Sequence, residues 1–338
     1  MKVHTKNEYS KLKSVIVGRP DYYVWPKTGD IFYERIKWLG VKHTGKPPDG
    51  SVPDFIIKEA NEDLYAFIDL LGDEGVKIHR PEKVDWRENV TDYRGTRTGH
   101  SSYSARDVLL TIGDMVIECP TPFLSKQHLM TAYQSIKNEA IADGCRWIAA
   151  PQAQMEDAEC TLKADHIQLT ERYPIFDAAN ILKFNDKLVY LISATGNYAG
   201  AKWLQKIVGT EYEVIVWDNI YFSSHIDSTI MPLNENTILC NYDRVTAENL
   251  PKFLRSYQKI WVHDCVPREF YKFPHATKWL GMNVLSTDPE TVFVDYIQNE
   301  LIARLIDARF RVIKTPLRHS RTLSGGFHCV TCDLEREC

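Results

Sequence analysis

The sequence predicts a mixed α/β fold made of repeated units, each a β-hairpin followed by a helix. Two observations predict it. Four times, an acidic or polar residue leads into an apolar run, a tight turn and a second apolar run rich in Val, Ile and Leu. Helical patterns lie between these hairpins, so the units recur at intervals of roughly 50 to 70 residues. A ring of such units would point the residue opening each hairpin at one common axis. The competing reading is an ordinary mixed α/β domain with several hairpins.

The hairpins come in chain order. "RDVLLTIGDMVIECP" (106–120) turns at Gly113-Asp114, and "FDAANILKFNDKLVYLIS" (176–193) turns at Asn185-Asp186. "HIDSTIMPLNENTILCNY" (225–242) turns at Asn234 to Asn236, and "MNVLSTDPETVFVDY" (282–296) around Asp288-Pro289. Helical spacing marks 131–144, 197–209, 246–258 and 296–310, with Thr246 as an N-cap and Gly144 and Gly209 as C-caps. "KSVIVG" (13–18) and "HCVTCDL" (328–334) lack complete hairpins, and their pairing would make a fifth unit from both chain ends. The residues opening the units are then Asp107, Asp177, Asp227, Asn283 and the neighbourhood of Cys329. Residues 20–60, rich in Pro, Gly and Asp, read as a long surface excursion and a candidate lid. No linker divides the chain, so residues 1–338 read as one domain.

Composition narrows the function classes. The 338 residues are 44% hydrophobic and 25% charged, with a net charge of -4 and dispersed basic residues. That speaks against nucleic acid or an anionic membrane as partner. No apolar run reaches the length of a membrane span, and no signal-peptide core opens the chain, so a cytoplasmic location is expected. Eight scattered cysteines read as reduced thiols, with Cys119, Cys145, Cys160, Cys240 and Cys265 as small buried hydrophobes.

Chemistry concentrates in "SGGFHCVTCDLEREC" (324–338). Cys329-x-x-Cys332, with His319, His328 and Cys338, offers soft metal ligands, but a structural zinc site needs a second such pair. A strand here would also send His328 and Cys329 to opposite faces. The other reading makes Cys329 a nucleophile. It follows two glycines that permit close backbone approach, and it needs a base such as His225, which Asp177 could orient. His225 could instead be an ordinary satisfied histidine. His263 and Cys265, in "WVHDC", would share a strand face but lack those accompanying features and read as structural. Asp107 and Asp227, if both face the axis, form an anionic socket suited to a guanidinium. Otherwise they cap turns or pair with Arg106 and Arg244. Arg244 is either a contact for a substrate carboxylate or a surface arginine.

Several stretches carry a resemblance: "NEYSKLKSVIVGRP", "EGVKIHRPEKVDW", "ARDVLLTIGDMVIECP", "FDAANILKFNDK", "TGNYAGAKWLQ", "HIDST", "KWLGMNVL" and "SGGFHCVTCDLER". They run in family order from residue 7 to 336, and the chain resembles the arginine amidinotransferase family. That family includes the glycine, inosamine-phosphate and cyanobacterial toxin amidinotransferases. The resemblance implies a pentein fold, a five-bladed α/β propeller with pseudo-fivefold symmetry and the site on its axis. It implies Cys329 as nucleophile, His225 as general acid/base and Asp177 as its partner. Asp107 and Asp227 would grip the donor guanidinium, and Arg244 with Thr277 would hold the donor carboxylate. It further implies no cofactor and no metal, small-molecule substrates and a homodimer.

The chain departs from the glycine enzymes at Phe222 and Ser224, where they have Asn and Met, and at Asn180, where they have Asp. The stretch after Met155 is shorter than theirs, and the mitochondrial presequence of animal members is missing. The first change lies beside the triad and bears on the acceptor. The implied reaction moves an amidino group from arginine through an amidino-cysteine to a primary amine, releasing ornithine. The acceptor expected is a natural-product amine of the saxitoxin type, with glycine as the alternative. A hydrolase of the arginine deiminase kind, or a binding module without chemistry, are the rival classes.

Overall fold

The apolar runs fold as strands, and the strands assemble in threes. The computed structural model describes residues 1–26, 47–92, 95–98, 100–152, 160–163 and 167–337. Each of the four predicted hairpins forms. Leu109–Ile112 pairs with Met115–Glu118, Ile181–Phe184 with Lys187–Leu191, Ile230–Asn234 with Thr237–Asn241, and Leu285–Asp288 with Thr291–Asp295. Leu12–Val17 pairs antiparallel with Thr331–Arg336, so the two chain ends do make a fifth unit. All five carry a third strand that the sequence did not reveal, parallel to its neighbour: Lys77–His79, Arg146–Ala149, Glu213–Trp217, Gln258–Val262 and Arg311–Thr315. A parallel partner needs a crossover, and the segment after each hairpin supplies it. Among the described residues there are thus five three-stranded sheets of one design, beside three two-stranded pairs.

Helices Gln134–Ala142, Tyr198–Val208 and Asn299–Asp307 lie inside the predicted spans. Asn197 starts the second of these by accepting from the Gly200 N–H at 2.7 Å, and Gly209 ends it at φ 64°. The helix expected over 246–258 is only a short 3-10 turn, Lys252–Ser256. Thr246 does accept from the Asn249 N–H at 3.2 Å, but Pro251 bars Leu250 from helical backbone. The excursion is also shorter than expected: residues 54–60 open a 20-residue helix, Asp54–Asp73, and residues 27–46 lie outside the described residues. That helix buries Ile56, Ala60, Leu64, Phe67 and Leu71, an apolar stripe at helical spacing. Its Phe67 ring meets Phe293 at 5.2 Å and Phe327 at 5.0 Å, which braces the segment leading to Cys329.

A short helical turn or bend stands before the first strand of four sheets and before Thr331–Arg336 of the fifth. Ala105–Val108 holds Asp107, Ala178–Asn180 follows Asp177, Ile226–Ser228 holds Asp227, and Lys278–Met282 precedes Asn283. Residues 327–330 turn ahead of the last strand. The first four turns touch in sequence, and that of Ala105–Val108 also contacts the last strand. The residues that open the units therefore meet.

Candidate active site

The turn at 327–330 is held from outside. Asn283 Oδ1 accepts from the backbone N–H of His328 at 2.9 Å and of Cys329 at 3.1 Å. Gly326 lets that side chain in: a Cβ there would lie 2.6 Å from Asn283 Oδ1. Because these residues turn instead of extending, His328 and Cys329 do not part to opposite faces as the sequence suggested. Both reach one oxygen, Asp227 Oδ2, from His328 Nδ1 at 3.0 Å and from the Cys329 thiol at 3.4 Å. Burial first, then Asp227 and Asp107, push the thiol well above its usual range, so the resting group is a thiol.

Opposite stands His225. Its Nε2 lies 3.0 Å from Asp177 Oδ2, and its Nδ1 lies 3.7 Å from Asp107 Oδ1. Burial would raise the Asp177 carboxyl, but Lys126 and His225 outweigh it and hold the group below its usual range. An ionised Asp177 accepts from Nε2–H, which leaves Nδ1 for proton transfer. Asp227 is lowered in the same way, with His328 and His225 overcoming burial. A cleft of about 350 Å³ is lined by Cys329, His225, Asp227, Ser224, Ser228 and Thr277 among others. A second, of about 250 Å³, is lined by Asp107, Lys126, His100, Ser101 and Ser104. Ser324 lines both.

The remaining expected residues fall at graded distances. Thr277 lines the cleft and caps the turn behind it, accepting from the Trp279 N–H at 3.4 Å. Arg244 works through its neighbours: its Nη1 donates to Ser228 O at 2.9 Å and to the hydroxyls of Ser228 and Thr229 at 3.0 Å. Its guanidinium lies over the Tyr221 ring at 3.5 Å. Neither Asp107 nor Asp227 pairs with Arg106 or Arg244, since Arg106 binds Glu8 at 3.2 Å and Asp333 at 2.8 Å. Ser224 lines the cleft, whereas Phe222 is half-buried and its carbonyl accepts from the Ala194 N–H at 2.8 Å. Asn180 is spent on structure. It donates to Leu191 O at 2.8 Å and to Ser193 Oγ at 2.9 Å, and accepts from the Thr195 hydroxyl at 2.7 Å, steadying the turn at Asp177.

The tail ligands of the zinc alternative are dispersed. The Cys332 thiol faces Leu109 O at 3.4 Å in an apolar cluster, and His319 pairs with Glu59 at 2.7 Å. Cys338 lies outside the described residues. The strand before His263 ends at Val262, so His263 and Cys265 share no strand face; His263 packs on Tyr242 and Cys265 is buried. Among the described residues, one group could hold a cation: donor atoms of Asp107, Asp177 and His225 lie within 4.8 Å of one another. The Lys126 ammonium already sits against both carboxylates, at 2.5 and 3.6 Å. Sequence reasoning missed Lys126, and also Glu8, whose Oε2 faces His328 Nε2 at 3.5 Å. Lys126 lies outside the stretches that carry the resemblance, and Glu8 lies inside one, with nothing in its spacing to mark it as a site residue.

No family model matches the chain. Individual proteins do. Inosamine-phosphate amidinotransferase 1 from Streptomyces griseus is 37% identical over 337 residues, covering 99% of this chain and 97% of the relative. The chain belongs to the amidinotransferase family. It is an amidinotransferase, and the structure of the Streptomyces griseus enzyme superposes on it with a TM-score of 0.93 over 99% of this chain and 97% of that one. An amidinotransferase of the saxitoxin biosynthetic pathway from Microseira wollei is 30% identical, with a TM-score of 0.89 over 99% of this amidinotransferase and 98% of its own chain. Mitochondrial glycine amidinotransferase from Xenopus tropicalis is 29% identical over 98% of this chain and 82% of its own.

Proposed function

We propose that this amidinotransferase takes its amidino group from arginine, carries it on Cys329 and passes it to a primary amine. One observation carries the reading: a thiol, two carboxylates and an Asp-paired imidazole share one site. The guanidinium sits between Asp107 and Asp227, the two carboxylates that hold the thiol protonated. Its positive charge offsets them, so the donor itself favours the thiolate. Sulfur attacks the guanidinium carbon, and the bond from that carbon to the side-chain nitrogen breaks. The proton lost by the thiol ends, through His225, on the departing amine, and ornithine leaves. The acceptor amine then attacks the same carbon, the carbon–sulfur bond breaks, and His225 takes the acceptor's proton. Arg244, through Ser228, and Thr277 hold the donor carboxylate. The five equivalent sheets and the contacts between their turns support a five-bladed arrangement around the site.

The acceptor we propose is a polar natural-product amine larger than glycine. Ser224, Ser228, Thr277, Ser324, Ser101 and Ser104 line the two clefts and suit a ligand with several polar groups. The relatives named for inosamine phosphate and saxitoxin point the same way. Arginine without acceptor should release ornithine, at most one per site in the first turnover, and leave Cys329 heavier by one amidino group in a peptide mass map. Citrulline and ammonia as the main products would make the protein a hydrolase. An acceptor screen that includes glycine, read by ornithine release, settles the second half. Phe222→Asn with Ser224→Met should shift acceptor preference more than arginine use.

A further inference from the structure

Lys126 reaches the site from the 3-10 turn Leu124–Lys126, beyond the first hairpin. Its side chain is 4% exposed, with Nζ 2.5 Å from Asp107 Oδ2, 3.6 Å from Asp177 Oδ2 and 4.6 Å from the centre of the Phe123 ring. We propose that Lys126 is a positioning residue for amidino transfer. It holds one oxygen of Asp107, sets a positive charge against both Asp107 and Asp177, and leaves the other Asp107 oxygen open for the donor guanidinium.

The argument begins with charge. Asp107, Asp177 and Asp227 are all buried, and Asp107 and Asp177 share His225 and Lys126 as neighbours. Two buried carboxylates this close repel each other, and a cation between them offsets that cost. Lys126 supplies that cation, and it is the leading influence that holds Asp177 down against burial. Geometry makes the second half of the argument. Lys126 engages Asp107 Oδ2, while Asp107 Oδ1 is buried, has no hydrogen-bond partner and lies 3.7 Å from His225 Nδ1. One oxygen is fixed, and the other is an open acceptor beside the imidazole. The ammonium also offsets the Asp107 charge that, after burial and Asp227, holds the Cys329 thiol protonated. Among the described residues, titratable groups around Lys126 include Asp107, Asp177 and His225, with His100 across the smaller cleft and Cys119 near Asp177.

The inference rests on the arginine-to-cysteine reading above, so its test separates the two. Single-turnover release of ornithine from arginine is measured across pH for the wild-type protein, Lys126→Met, Lys126→Gln and Lys126→Arg. Loss of the charge should let Asp177 take up a proton at higher pH and make the thiol harder to ionise. The pH–rate profile of the Met and Gln variants should move up by about one unit or more. Near neutral pH their release should be about tenfold slower or worse, and Lys126→Arg should restore the wild-type profile. Wild-type behaviour in the neutral variants overturns the proposal. So does an equal loss in the Met and Arg variants with an unmoved profile, which would mark a packing role. Faster release in Lys126→Met also overturns it, because the ammonium would then be competing for the guanidinium's place. If the wild-type protein gives no ornithine and no Cys329 adduct, the parent reading falls with it. If it gives both while the variants match it, only this inference falls.

Discussion

Two histidines stand in this site, each with a nitrogen 3.0 Å from an aspartate, and they are built for different work. His225 pairs with Asp177 through Nε2, its side chain is 13% exposed, and it lines the cleft. His328 pairs with Asp227 through Nδ1, its side chain is 1% exposed, and its other nitrogen faces Glu8. Both rings have a second carboxylate near the other nitrogen, Asp107 at 3.7 Å for His225 and Glu8 at 3.5 Å for His328, but only His225 lines the cleft. On the function proposed above, the same short Asp–His contact serves proton transfer in one place and charge organisation in the other, and exposure of the ring, 13% against 1%, separates the two.

The largest way to break this comparison is His225→Asn. Loss of a positioned acid/base costs about 10²- to 10⁴-fold in rate, here expected on kcat with little change in thermal stability. A stability loss matching the rate loss would make His225 structural. Asp227→Asn comes next. Removing one charge from a buried cation socket should cost about 2–5 kcal/mol in kcat/KM for arginine, measured by steady-state ornithine release. Wild-type kcat/KM would move the socket elsewhere. His328→Asn should reverse the His225 pattern. It leaves Glu8 and Asp227 short of a partner and should cost about 1–3 kcal/mol in denaturant unfolding, with a smaller effect on rate.

The smallest effect lies in pH. Burial would raise the Glu8 carboxyl, but Lys183, Arg106 and His328 hold it well below its usual range. A carboxyl depressed in the folded state stabilises the fold above its unfolded-state pKa, and that contribution disappears as pH falls through the depressed value. Glu8→Gln should therefore lower stability near neutral pH and flatten the acid limb of a stability profile measured by thermal melts. An acid limb as steep as the wild type's would locate the titrating group elsewhere.

Much of this was legible in the sequence. The hairpins were readable because Val, Ile and Leu runs end in Gly-Asp, Asn-Asp and Asp-Pro turns, which few other structures use. The openers Asp107, Asp177, Asp227 and Asn283 were readable because they recur at one place in a repeat. The third strands were not. Glu213–Trp217, with a mostly half-exposed pattern, has no apolar run to announce it. Pro251 was in plain view, yet apolar spacing over 246–258 outweighed it in the sequence reading. Lys126 and Glu8 matter only through what the fold brings beside them, and no local pattern encodes that. Asn283 was found as an opener, but its grip on the Cys329 turn depends on Gly326 yielding space from another sheet.

The pairing of Leu12–Val17 with Thr331–Arg336 also has a consequence in time. The strand that follows Cys329 finds its partner only after nearly the whole chain has been gathered, and Val17 lies opposite Thr331. Contacts between positions so far apart in the chain form slowly, since the intervening segment must be ordered before the pairing rewards it. The four local hairpins have no such wait. The Cys329 thiol is thus placed by a pairing that spans the chain, whereas the turns carrying Asp107, Asp177 and Asp227 each precede a local hairpin.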